Sequence, residues 1–86
     1  MIQRYMLNKK IFGSRLRELR KQKNISQTEL GQMLGVTSTQ IGDMERGNST
    51  TSMPRLYELC QYFEVSADYL MGLTDDSAPY PRCGKE

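Results

Sequence analysis

Apolar residues along this chain recur at helical intervals, and nowhere do they alternate as a half-buried strand requires. Phe12, Leu16 and Leu19 stand at i, i+4 and i+7, a single stripe that predicts a first helix from about Lys9 to Lys23. Asn24 tolerates the left-handed turn that would end it. Four hydroxyl residues each precede an apolar-periodic run, where a side-chain oxygen caps free helix N–H groups. Ser26-Gln-Thr-Glu29 is a capping box that starts a second helix at Gln27, and Gly35 stops that helix after Leu34. Thr37-Ser-Thr-Gln40 repeats the spacing with glutamine in place of the acid, which predicts a third helix from Ser38 to near Arg46. Asn48 to Ser52 reads as a polar, mobile loop. Pro54 suits only a first turn and so marks a fourth helix, with Leu56, Leu59, Cys60 and Phe63 on its inner face. Ser66 caps a last short helix, Ala67 to Met71, before Gly72.

This pattern predicts an all-α, compact five-helix bundle, one domain over residues 11–73. Residues 1–10 form an N-terminal extension, read as an arm reaching around a bound partner or, preferably, as an extra helical turn. After Leu73, "TDDSAPYPRCGKE" carries two prolines and no apolar period, so residues 74–86 are expected to be a flexible tail. At 86 residues the chain has room for one small core, burying roughly 60% of its unfolded surface.

The second and third helices are separated only by Gly35 to Thr37, and so short a link forces a steep crossing, a helix-turn-helix. Counted from Gln27, Gly31 is fifth, Gly35 ninth, Ile41 fifteenth and Met44 eighteenth, which supplies a small residue at a close approach, a turn residue tolerant of positive φ, and apolar docking positions. A glycine within a helix costs roughly 1 kcal/mol relative to alanine, so Gly31 needs a packing reason; close approach of the third helix is the expected one.

Net charge is only +2, but its distribution is uneven. Residues 1–47 hold nine basic and four acidic side chains, residues 48–86 three and six. The first half suits an anionic surface. Cys60 and Cys83 are too few for a zinc site or a disulfide framework and read as free thiols in a reducing compartment. Without histidine, a metal-ligand cluster or a phosphate-cradling glycine loop, the chain reads as no enzyme, with no cofactor and no metal. No apolar run approaches the ~18 residues of a membrane span, and a cytoplasmic location is expected.

The segments "FGSRLRELRKQKNISQTELGQMLGVTSTQIGDMERG" and "MPRLYELCQYFEVSADYLMGL" resemble the DNA-binding domain of phage repressor and Cro proteins, the XRE-like family, over roughly residues 11 to 73. The resemblance implies a lambda-repressor-like domain that lays its third helix in the major groove of double-stranded DNA, usually as a homodimer on a palindrome. It further implies base-reading positions at Ser38, Thr39 and Asp43, a buried ion pair between Arg20 and Glu45, a phosphate contact by Gln27, and dimer contacts on the later helices, where Tyr57, Tyr62, Tyr69 and Leu73 are candidates.

A helical wheel centred on Ile41 turns positions 37, 41, 44 and 45 inward and 39, 43 and 46 outward, with Ser38 at the exposed tip. Asp43 suits acceptance from cytosine N4; pairing with Arg46, three residues on, is the plain alternative. Gly42 leaves room for close approach. Lys9, Lys10, Arg15, Arg17, Lys21 and Arg46, with Thr37, Gln40 and the N-terminus of the second helix at Gln27, form the candidate backbone contacts. The resemblance implies a sequence-specific transcriptional regulator, a repressor. The alternative is an antitoxin or other protein-interaction module that also binds DNA.

Overall fold

The computed structural model describes residues 6–79, in which five helices follow one another: α1 Lys9–Gln22, α2 Gln27–Leu34, α3 Ser38–Glu45, α4 Met53–Phe63 and α5 Ala67–Met71. Every start carries a side-chain cap. Ser26 and Thr37 complete both halves of their capping boxes, while Ser52 and Ser66 accept from the N–H groups of Arg55 and Tyr69. Asn8 adds a fifth cap, its Oδ1 accepting from the N–H groups of Lys10 and Ile11. Such caps contribute about 1 kcal/mol each. Residues 6–8 are not helical, so the extra turn preferred for the N-terminal extension is absent there; Ile2 to Tyr5 lie outside the described residues.

All five helices end by the same closure. A residue in left-handed conformation lets the next N–H reach back to the carbonyl five residues earlier: Ile25 to Arg20, Val36 to Gly31, Asn48 to Asp43, Val65 to Cys60 and Leu73 to Asp68. Gly35 serves at φ 77° and Asn24 at φ 61°. Glu64 takes the role at φ 56° without the freedom of glycine.

The apolar stripes meet in one core. Leu16, Leu30, Ile41, Leu59 and Leu70, one from each helix, are fully buried, and Phe12, Leu19, Leu34, Met44, Cys60, Phe63 and Val65 pack around them. Burial pushes the Cys60 thiol up from its ordinary range. α1 lies against both α3 and α5. Its approach to α3 is set by Gly13, where a Cβ would fall 2.2 Å from the Met44 carbonyl oxygen and 2.6 Å from that of Glu45. Gly31 is constrained differently from the expectation. A Cβ there would lie 2.6 Å from the Val36 carbonyl oxygen, so the turn folding back on α2, not the body of α3, excludes a side chain.

The segment after α5, expected to be a flexible tail, makes contacts with the bundle over residues 74–77. Arg15 Nη1 donates to the carbonyls of Tyr69 and Thr74, and its Nη2 pairs with Asp75 Oδ1 at 2.7 Å. The Ser66 N–H donates to the Ser77 carbonyl at 3.3 Å. Residues 74–77 are therefore tied to the bundle, because α1 presents a guanidinium to the carbonyls of Tyr69 and Thr74 and to the Asp75 carboxylate. Residues 80–86, Cys83 among them, lie outside the described residues.

Candidate nucleic-acid interface

α3 divides into two faces. Ile41 and Met44 point into the core, and Ser38, Thr39 and Gln40 are exposed. Thr37, expected to turn inward, is exposed as well, because an N-cap residue leaves the helical path and holds its hydroxyl over the first turn. Its Oγ1 accepts from the Gln40 N–H, and Gln40 Oε1 accepts from the Thr37 N–H at 2.8 Å. The cap thus occupies the amide oxygen of Gln40 and leaves its NH2 group facing outward.

The orientation of α3 is held by one carboxylate. Glu45, 4% exposed at its side chain, accepts from Arg20 Nε at 2.5 Å, from Arg20 Nη2 at 3.1 Å and from Gln27 Nε2 at 3.1 Å. Arg20 Nη1 also donates to the Ile25 carbonyl at 2.9 Å. The hydrogen bond to Glu45 raises the Arg20 pKa above its ordinary value against the opposing effect of burial. The Arg20–Glu45 pair that the resemblance implies is present, and Gln27 is its third member. One carboxylate therefore ties α1, the start of α2 and the end of α3 together, and it fixes the crossing of the two helices. The side-chain NH2 of Gln27, placed among the candidate backbone contacts, gives one hydrogen to Glu45, while its main-chain N–H stays at the open start of α2.

The remaining charged residues separate into two groups. Lys9, Lys10, Arg17 and Lys21 are exposed along α1. Arg15, placed among the candidate phosphate contacts, is engaged within the fold: its guanidinium lies 4.2 Å from the Tyr69 ring centre and bonds the segment after α5. At the end of α3, Arg46 Nη2 pairs with Asp43 Oδ1 at 2.6 Å. Arg46 Nη1 lies 3.0 Å from where a Gly42 Cβ would sit, so the space left by Gly42 is filled by this guanidinium and is not open for approach. On the later helices Tyr57 and Leu73 are exposed, as is Met53 one turn before Tyr57, whereas Tyr62 and Tyr69 pack against the core.

The model of the Helix-turn-helix family matches residues 16–70, most of the described bundle. This chain belongs to the helix-turn-helix family. Among its relatives, the HTH-type transcriptional regulator YobD of Bacillus subtilis (strain 168) is 32% identical over 69 residues, 80% of this chain and 62% of YobD. Repressor protein C2 of Salmonella phage P22 is 34% identical over 65 residues, 76% of this chain and 30% of the repressor. The chain thus spans less than two thirds of these relatives. The P22 c2 repressor, solved in complex with a synthetic operator, superimposes with a TM-score of 0.65 at 35% identity, covering 70% of this chain and 91% of that one. The restriction-modification controller protein C.AhdI of Aeromonas hydrophila does so at 0.63 and 32%, covering 73% and 91%. The chain carries the helix-turn-helix of this XRE-like family, and these relatives are an HTH-type transcriptional regulator and a phage repressor. No described helix is long and apolar enough to cross a membrane.

Proposed function

We propose that this chain is a DNA-binding transcriptional regulator and no enzyme, a repressor that binds a palindromic operator as a homodimer in the cytoplasm, laying α3 in the major groove. The observation that carries the reading is the outer face of α3: it is relieved of packing, and its orientation is locked through Glu45 to α1 and α2. Ser38 and Thr39 offer hydroxyls, and Thr39 a methyl, to base edges. The starts of α2 and α3 each present main-chain N–H groups that no described residue accepts from, those of Gln27 and Thr28 and of Ser38 and Thr39, which suit phosphate oxygens. Lys9, Lys10, Arg17, Lys21 and the Gln40 NH2 supply further phosphate contacts. Exposed Tyr57 and Leu73 are the proposed dimer contacts. Occupying a promoter would repress without any chemistry.

The test is selection from a randomised DNA pool with the purified protein at moderate salt, paired with its mass measured free and on DNA. A twofold-symmetric motif with half-sites about 10 bp apart is expected, bound by two chains. Enrichment of no motif would sink the reading, and a single non-repeated half-site bound by one chain would remove the dimer.

A further inference from the structure

The outer face of α3 contains no lysine or arginine of its own between Ser38 and Glu45, yet a guanidinium lies on it. Arg46 follows the last helical residue, and its side chain runs back toward the N-terminus of α3, the direction in which helical Cα–Cβ bonds tilt. It ends over Gly42, one turn nearer the groove-facing end, with Nη1 at 3.0 Å from the place a Cβ would take. Asp43 Oδ1 holds Nη2 at 2.6 Å. The Arg46 side chain is 60% exposed, and no described group accepts from Nη1. A guanidinium with one nitrogen anchored and another free is pre-organised, so less rotamer freedom is lost when it meets an acceptor pair.

Granting that α3 lies in the major groove, we infer that Arg46 is a base-reading residue selective for guanine and that Asp43 is its positioning residue, with Gly42 supplying the space. Guanine presents two acceptors, O6 and N7, in the major groove, and arginine is the side chain that fits both. Asp43 then reads no cytosine of its own. Its carboxylate holds the fork in place and lowers the positive charge that would draw Arg46 to a phosphate instead.

The test compares pool-selected motifs and competition binding of the wild-type protein with those of Arg46→Lys, Asp43→Ala, Gly42→Ala and the Arg46→Lys/Asp43→Ala pair, each checked for folding by its thermal melt. The wild-type motif should contain a guanine in each half-site. Arg46→Lys, which keeps the charge and removes the fork, should flatten that position by roughly tenfold or more and leave the others intact. Asp43→Ala should flatten the same position, and the double variant should do no more than the singles, which a merely structural role for Asp43 would not produce. Gly42→Ala keeps every charge and sets a methyl 3.0 Å from Nη1, which shifts the guanidinium by a few tenths of an ångström, so it should fold at least as well as wild type and weaken the same preference. The inference is overturned if Asp43→Ala relaxes a different position, if Arg46→Lys leaves all positions unchanged, or if Gly42→Ala leaves the guanine preference undiminished. A wild-type protein that selects no motif overturns the operator-binding reading and this assignment with it; a wild-type motif indifferent to these variants overturns the assignment alone.

Discussion

Replacing Glu45 with alanine should be among the most damaging single changes outside the apolar core. The side chain is 4% exposed and Arg20 is 11% exposed, so neither charge is well solvated, and the three hydrogen bonds that converge on the carboxylate have no substitute nearby. Removing one partner of a buried pair leaves the other charge uncompensated, a loss of roughly 3–5 kcal/mol. A domain of this size has ~4–12 kcal/mol of stability in total, from about 0.05–0.15 kcal/mol per residue. The variant should therefore lose a quarter or more of its stability, and its Tm should fall by about 12 °C or more, at roughly 4–8 °C per kcal/mol. Circular dichroism at 222 nm through thermal and urea melts measures this, with an unchanged urea m-value showing that the unfolded state is the same. Arg20→Ala should lose less, because the carboxylate it strands keeps the Gln27 donor. Replacing both charges by apolar residues of similar volume should recover most of the loss, since the desolvation of both ions is removed together. A Glu45→Ala melt within about 1 kcal/mol of wild type would refute the reasoning and make the pair a solvated surface contact.

Other substitutions probe the remaining contacts. Arg15→Ala should cost about 1–3 kcal/mol through lost charge-assisted hydrogen bonds and speed amide exchange over residues 72–77, while leaving the salt dependence of DNA binding unchanged; a shallower salt slope would return Arg15 to the phosphate contacts. Arg17→Ala should do the reverse, lowering that slope by about 1 with little change in melting. Gly13→Ala should destabilise by at least ~1–3 kcal/mol by overpacking, since the new methyl meets the carbonyls of Met44 and Glu45 and a helix backbone cannot yield as a side chain does; a melt at or above wild type would show that α1 and α3 can separate freely. Glu64→Gly should raise stability by up to ~1 kcal/mol because glycine occupies the left-handed region without a Cβ clash, and an unfolding free energy below wild type in urea would contradict the assigned closure of α4.

Capping boxes, helix-ending glycines and apolar stripes act within a few residues of one another, so the five helices, the core positions and the tight turn between α2 and α3 were all legible along the chain. Ser26, Thr37 and Ser66 start helices wherever the rest of the chain lies, because the N–H groups they satisfy are their own neighbours'. The resemblance placed Arg20 against Glu45, although no local rule could have, and it led to the outward residues of α3. Gly13 carried the same warning as Gly31, a glycine inside a helix, but what it excludes comes from a helix some thirty residues on.

Direction was what the chain alone left undecided. A long cationic side chain has several rotamers of similar energy in isolation, and its choice among them waits on acceptors that only the folded backbone assembles. Arg15 and Arg17 look equivalent in sequence; one meets the carbonyls of Tyr69 and Thr74, and the other stays in solvent. The segment after Leu73 has no apolar period to announce structure, yet Arg15 holds it because its carbonyls and Asp75 arrive where that guanidinium already is. Arg46 folds back over Gly42 only because Asp43 and the missing Cβ lie on the same face one turn away. The sequence by itself determined which segments are helical and which faces are buried, since those depend on near neighbours and on burial of apolar area. Tertiary structure decided which of its charges are fastened inside the fold and which stand free on its surface, because each of those choices is made by a partner distant in sequence or by a rotamer that neighbours in space select.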